Sequence, residues 1–374
     1  MGDVAPKTTA VFDDLIAALT EIRDGYVLNP DRFSEPIDVI EGYRYVGQVL
    51  SAASELFMEA DPEHPRMASI VTPARKLQGD NPDAIYHYAR IRGDRSYRVS
   101  GTIDGECYTS FTVHAAADDG ALAGAVLADI NHRDFTVAAD GSYAVVFGPE
   151  PHDGDWVSIP PEAHSIVVRS YFQQPRSAQN DPNTSVRIDI EPVGAVEPPP
   201  PLDDETMAER MHAAVAFLRQ TTVGQGLPGG PSGVPFVADV PNELPKPFSF
   251  RDSGLPVPGA VDIHYAMGRW DLAPDEALVM TGTLPPCVFA NVMLWNVHMQ
   301  TLEYRSRRSA LNQAQIELEP DGTYRIVIAD RDPGVANWLD TGGHPRGSIF
   351  WRFLLPEGDL PQPQCQVVAV TSLA

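Results

Sequence analysis

The strongest constraint on what this chain can fold into is an ordered echo between its two halves. Asp140-Gly141-Ser142-Tyr143-Ala144-Val145-Val146-Phe147 is followed by Trp156, His164, the run Ser165–Phe172 and Pro175. Asp321-Gly322-Thr323-Tyr324-Arg325-Ile326-Val327-Ile328 is followed by Trp338, His344, the run Ser348–Leu355 and Pro356. The tryptophan stands 15 residues after the glycine in one half and 16 in the other. A weaker echo precedes each: Ser100-Gly101-Thr102-Ile103 with Cys107 and Phe111 answers Thr281-Gly282-Thr283-Leu284 with Cys287 and Phe289. An Asp-Gly turn before an alternating strand is common, but the whole ordered series is not. It predicts two structurally similar β halves. Each would present an apolar sheet face that must be buried in a sandwich or against the other half.

The flanking periodicities fill in the rest. Phe12, Leu15, Ile16, Leu19 and Ile22 fall three and four apart, the stripe that buries one face of a helix, and Val46, Val49, Leu50, Ala53 and Phe57 form a second. Tyr26, Tyr43 and Tyr45 read as fillers of the core edge. From about residue 83 the period drops to two, with strands expected over 85–91, 97–103 and 108–114 and turns between them that leave no room for helical crossovers. This is antiparallel β. Residues 192–202 contain four consecutive prolines and form a stiff connector, after which Asp203 caps a helix buried through Met207, Met211, Ala214, Val215 and Leu218. A Gly/Pro-rich stretch, 224–260, follows with Pro228, Pro231, Pro235, Pro241, Pro245 and Pro247, and reads as cover for a cleft, as a subunit contact or as plain packing. The expected organisation is an N-terminal helical segment (1–65), a first β-sandwich half (66–192), a helix and loop connector (203–260) and a second β-sandwich half (261–374). The fold class is therefore mainly β, two related antiparallel sandwich or jelly-roll-like halves with an N-terminal helical segment and a linking helix. Proline at 35 of 374 residues speaks against a helical bundle.

Charge removes several classes of partner. A formal charge of −24 repels nucleic acid and anionic lipid. No apolar run reaches the roughly 18 residues of a membrane span, and the N-terminus lacks a basic cluster followed by an apolar core. Three widely spaced cysteines, Cys107, Cys287 and Cys365, make neither a disulfide framework nor a zinc set and read as small buried side chains. A reducing, cytoplasmic location is expected.

Chemistry is carried by a few segments. Between 291 and 308, an extended strand would turn Asn291, Met293, Trp295, Val297 and Met299 to one side and Asn296, His298 and Gln300 to the other. Such a polar row suits a binding cleft if it faces inward and costs nothing on a surface. Glu303, Arg305, Arg307 and Arg308 follow; guanidinium groups recognise carboxylates, either within the chain or on an acidic ligand. Over 330–352, turn formers would fix a polar aromatic loop in which Asp332 or Asp330 orients His344, an acid/base unit if it lies in a cleft and a mere stitch if not. Glu303 with Asp330 or Asp332 would serve glycosidic cleavage at the required separation. There is no metal-binding spacing of histidines, no phosphate-wrapping loop and no serine-nucleophile elbow. No metal and no cofactor is expected.

The run Trp338–Phe353, preceded by Asp332-Pro333-Gly334 and Asn337, resembles the signature of DUF1214 domain-containing proteins. Asn81-Pro82-Asp83-Ala84-Ile85-Tyr86 resembles a motif of that group and of its DUF1254-containing relatives. The likeness spans roughly 255–356 and is looser over the first half; the full DUF1254 domain of the longer relatives is not expected. The resemblance implies β-sandwich or jelly-roll-like domains with a small helical module. It places Asn81, Asp83, Tyr86, Trp338, His344, Arg346 and Arg352 in the shared motifs and attaches no catalytic role to any of them.

These readings lead to an enzyme acting on a small polar or glycosidic substrate by acid/base chemistry in a cleft between the β halves. His344, Asp332 and Glu303 are its candidate catalytic groups; Arg305, Arg346, Trp338, Trp295, His298 and Tyr86 are its candidate substrate contacts. Two alternatives stand beside it. One is a non-catalytic protein for a saccharide or lipid-like ligand, with Trp295, Trp338 and Tyr304 as stacking surfaces. The other is a structural or assembly protein. A homo-oligomer is compatible with each.

Overall fold

A computed structural model describes residues 6–226, 233–251 and 260–373; Pro228 and Pro231 of the Gly/Pro-rich stretch lie outside the described residues. Helix α1 (Lys7–Ile22) and helix α2 (Pro36–Ala53) each run on into one wider turn, Arg23–Val27 and Ser54–Met58. Pro36 opens α2, and Glu35 with Asp38 completes a reciprocal cap of its first turn. Helix α3 (Asp204–Gln220) starts where expected, with the Asp203 carboxylate accepting from Thr206 N at 2.8 Å.

The strands of the first half are β1 (Ala68–Ser69), β2 (Ala84–Arg90), β3 (Tyr97–Thr102), β4 (Tyr108–Ala115), β5 (Val126–Asn131), β6 (Ser142–Gly148), β7 (Asp155–Ser158), β8 (Ala163–Tyr171) and β9 (Arg187–Pro192). Those of the second are β10 (Phe248–Ser249), β11 (Ile263–Asp271), β12 (Glu276–Gly282), β13 (Phe289–Trp295), β14 (Ala310–Asn312), β15 (Tyr324–Ala329), β16 (Trp338–Asp340), β17 (Arg346–Leu354) and β18 (Gln364–Ala369). The first half forms sheets of order β1-β2-β8-β4-β5 and β7-β6-β3-β9; the second forms β10-β11-β17-β13-β14 and β16-β15-β12-β18. Adding nine to each strand number converts one half into the other. The chain is a duplication of one β-sandwich.

The echo has a local cause at each point. Gly141 and Gly322 both take a left-handed φ, and the preceding carboxylates, Asp140 and Asp321, accept from the backbone N–H and hydroxyl of Ser142 and Thr323. Trp156 and Trp338 lie at matching register on parallel strands and donate to Gly148 O and Ala329 O at 3.1 and 2.9 Å. Arg169 and Arg352 match on the central strands. The histidines do not. His164 lies within β8, at the register of Gly347, whereas His344 lies in the loop before β17. Cys107 likewise matches Val288, as each donates its N–H to the end of the central strand, so Cys287 is one residue out of step. None of the three cysteines is deeply buried, and all are free.

Each half buries a core between its own sheets, around Phe111, Phe147 and Val168 in the first and Trp270, Val292 and Trp351 in the second. The two five-stranded sheets then pack on each other through Tyr108 and Tyr171 on one side and Phe289, Met293 and Phe350 on the other. The helices cover the rest of the first five-stranded sheet through Tyr88 and Val167. With both faces covered, β4 has no solvated side, and Thr109, Ser110, Thr112 and His114 are all buried. Helix α1 packs on α3 through Val11, Ala18 and Ile22, a narrower stripe than its larger apolar residues indicate; Phe12 and Ile16 stay more than half exposed. On α2, Val49, Ala53 and Tyr45 are buried and Leu50 and Tyr43 are exposed.

The halves are clasped reciprocally. Asp83 and Asp262 immediately precede β2 and β11, and their carbonyls accept from Phe172 N and Leu355 N at 2.9 Å. Asn312, at the end of β14, donates to Asp83 Oδ1 at 3.0 Å; Asn131, at the end of β5, donates to Asp262 Oδ2 at 3.1 Å. Each half thus supplies a carboxamide to the other half's buried carboxylate. Asn291 adds a bond to Asp83, while Tyr108 and Arg251 add theirs to Asp262. A buried carboxylate short of a donor carries its desolvation cost uncompensated. Asn312→Ala should therefore lower stability by about 1–3 kcal/mol, read from urea denaturation midpoints, and Asn131→Ala should cost less because Asp262 keeps the Arg251 cation beside Tyr108, whereas Asp83 keeps only the neutral donors Asn291 and Ser177.

Candidate functional site

Between the β halves, the inner sheets meet through the packed aromatic side chains just described. A cavity of about 160 Å³ lies between α2 and the second half, lined by Glu41 and Arg44 of α2, Lys76, and Asn296, Glu303, Arg307 and His344 of the second half. Two turns build its second-half wall. Strand β13 ends at Trp295, where Asn296 accepts from His298 N and Gln300 N at 3.0 and 3.1 Å and Met299 takes a left-handed φ. That Asn-centred turn overrides the extended reading of 296–300. The second is the Asp340–His344 turn, where Gly342 and Gly343 take positive φ and Asp340 Oδ1 accepts from Gly342 N at 2.7 Å.

His344 is buried and both its nitrogens face acceptors: Nδ1 lies 2.8 Å from Thr341 O and Nε2 lies 3.0 Å from Glu41 Oε2. A carbonyl only accepts, so Nδ1 carries a proton, and a second proton lies between Nε2 and the carboxylate. Burial pulls the imidazole pKa down, but the bond to Glu41 and its charge outweigh it, and the net shift is upward. Glu41 is held below its ordinary range: burial opposes ionisation, and His344 and the 2.8 Å bond from Asn296 overcome it. Glu303 is drawn down to about 2, chiefly by the Arg305 guanidinium, against partial burial and with help from Lys76. Lys76 donates to Thr301 O and Leu302 O at 2.6 and 2.9 Å and lies 4.3 Å above the Tyr304 ring; burial lowers its pKa.

The family model described as "Protein of unknown function (DUF1214)" matches residues 87–175 and 274–358, one stretch in each β half. A solved structure titled a putative uncharacterized protein from Burkholderia cenocepacia is 30% identical, with a TM-score of 0.85 over 97% of each chain. The chain belongs to the DUF1214 family. A structure from Vibrio parahaemolyticus aligns over 87% of this chain and 98% of its own at 12% identity and a TM-score of 0.47. No curated protein matches in sequence. The second DUF1214 stretch supplies Asn296, Glu303, Arg307 and His344 to the cavity, while Glu41, Arg44 and Lys76 come from outside both stretches.

The residues expected from the sequence are dispersed through this DUF1214 fold. His344 and Glu303 share the cavity. Asp332 does not reach His344: it is exposed and caps its own turn by accepting from Gly334 N, and Glu41 takes the place expected of it. Asp330 is exposed as well. His298 is buried in the helical core, where it donates Nε2–H to Asp38 O at 2.8 Å and its Nδ1 lies 2.9 Å from the Tyr26 hydroxyl; burial lowers its pKa. Trp295 is wholly buried, stacked on Phe350 and donating to Asp80 O, which removes it as a stacking surface; Trp338 packs on the outer sheet. Arg305 is committed to Glu303 through two bonds and Arg346 to Glu35 through one. Tyr86 lies between the inner sheets, 3.4 Å from the Tyr171 hydroxyl. Sequence reasoning missed Glu41, Arg44 and Lys76. Glu41 and Arg44 sit three apart on α2, a weak signal; Lys76 had none. Among the described residues, no group of three or more His, Cys, Asp or Glu is placed to hold a metal ion, and no helix is long and apolar enough to cross a membrane.

The ion pair has a defined pH window. Glu41 is held below its ordinary 4.5, so its contribution to stability is in place above that pH and is lost as pH falls through the lower folded value. His344 is held above its ordinary 6.5, so its contribution is complete below that pH and is lost as pH rises through the raised value. Relative to wild type, His344→Gln should be about 1.5–3 kcal/mol less stable between these limits, with the gap narrowing on both sides. Urea midpoints measured across the pH range check it.

Proposed function

We propose that the chain binds a small hydroxylated molecule, of the sugar, polyol or hydroxy-acid class, in the cavity between α2 and the second β half. One observation carries this reading. The pair of buried His344 and partly exposed Glu41 opens onto a cavity whose volume suits only a small molecule, and Glu41 Oε1 accepts no hydrogen bond among the described residues. A carboxylate oxygen turned into such a space is an acceptor for a ligand hydroxyl. Glu303 offers a second carboxylate, and Arg44 and Arg307 offer donors, so a polyhydroxy compound finds both halves of its hydrogen bonding there. Three unpaired cysteines support a reducing, cytoplasmic setting.

Acid/base catalysis on the bound molecule is a second reading, favoured by the proton that His344 and Glu41 share. Because Thr341 O already takes the other imidazole N–H, that proton would reach a substrate only through Glu41. The catalytic assignment therefore moves from His344 with Asp332 to Glu41 with His344 behind it.

Calorimetric titration against sugars, polyols and hydroxy acids tests the binding reading. At least one should bind, and Glu41→Gln should weaken it about tenfold or more. Absence of binding throughout would contradict the proposal. NMR of the bound ligand over time separates the two readings: conversion that stops in His344→Gln favours catalysis, and an unchanged ligand favours binding alone.

A further inference from the structure

The lining of this cavity runs against the charge of the chain. In a protein of formal charge −24, Arg44, Lys76 and Arg307, with the protonatable His344, face only two carboxylates, Glu41 and Glu303. Outside the lining, Arg305 on Glu303 and Asp340 on Arg307 cancel each other, while Asp80 beside Lys76 and Asp38 beside His344 are carboxyls that burial pushes toward the neutral form. The positive groups differ in how far they are committed. Lys76 is spent on two backbone carbonyls, and Arg307 holds Asp340 through one nitrogen at 2.8 Å. Arg44 makes no hydrogen bond among the described residues and approaches Glu303 only at 3.9 Å.

Resting on the reading of the cavity as a ligand site, we infer that its ligand is a small hydroxy carboxylate. Its carboxylate pairs with Arg44 and the open edge of Arg307, and a hydroxyl donates to Glu41 Oε1. A planar guanidinium with unused donors matches a carboxylate through two parallel bonds. The excess of positive charge at this cavity, where the Arg44 and Arg307 side chains are about half exposed, concentrates anions at one place on an otherwise acidic molecule. Phosphate is the poorer match, because two carboxylates face the same small space and Lys76 is turned to the backbone. Neutral sugars satisfy Glu41 and Glu303 but leave Arg44 with no more than its 3.9 Å approach to Glu303.

The test compares gluconate and malate with glucose and glycerol by calorimetric titration of the full chain. Gluconate or malate should bind about tenfold or more tightly than the neutral compounds, and added salt should weaken the carboxylate selectively. Arg44→Gln should remove most of that preference, while Arg331→Gln, an equal charge change at an exposed site outside the cavity, should leave it intact. Equal binding of neutral and anionic compounds, or a preference that survives Arg44→Gln, would overturn this inference and leave the hydroxylated-ligand reading standing. No binding of either group would overturn both.

Discussion

A carboxylate taken out of water must be given donors, and in this chain the donors come from a different part of the fold. Asp83 of the first half is held by Asn291 and Asn312 of the second, and Asp262 of the second by Tyr108 and Asn131 of the first. Asp80, fully buried with its pKa pushed up by that burial, accepts from Thr301 N of the second half. Glu41 of the helical segment depends on His344 and Asn296. Leaving any of these groups unpaired costs more than the net gain of an ordinary hydrogen bond. Helical segment, first half and second half are thereby obliged to dock in one arrangement. Apolar packing alone would tolerate neighbouring ones.

The cavity follows from that docking. Its wall belongs to α2 on one side and to the two turns after β13 and before β17 on the other, so it exists only when the helical segment is seated. At the other junctions the carboxylates are enclosed by donors and packed over. At this one, Glu41 keeps an oxygen free and Arg44 keeps its donors free. Here unused hydrogen-bonding capacity, on Glu41 and on the half-exposed Arg44, borders an open volume.

Local chemistry decided what was legible in the sequence. Asp-Gly turns, alternating strands, the Asp203 cap and the tryptophan at fixed spacing are each determined within a few residues, and the matching of Trp156 with Trp338 came with them. The extended reading of 296–300 failed because the Asn296 carboxamide folds the chain back, a competition that periodicity does not register. The burial of α1 was misplaced because small residues, Val11 and Ala18, let α3 approach closely, whereas the larger Phe12 and Ile16 remain outside. His164 and His344 looked equivalent because spacing along the chain was similar, but a strand and a loop consume residues differently. Of the site, His344 and Glu303 were legible as isolated candidates. Their partners were not: Glu41 and Lys76 reach them from the far end of the sequence, and no short-range pattern encodes a contact of that kind.

Differential scanning calorimetry of the whole chain tests the central claim, that buried carboxylates bind the three parts into one body, most directly. The account predicts a single transition whose calorimetric and van't Hoff enthalpies agree. Two resolved transitions, one half melting while the other stays folded, would contradict it.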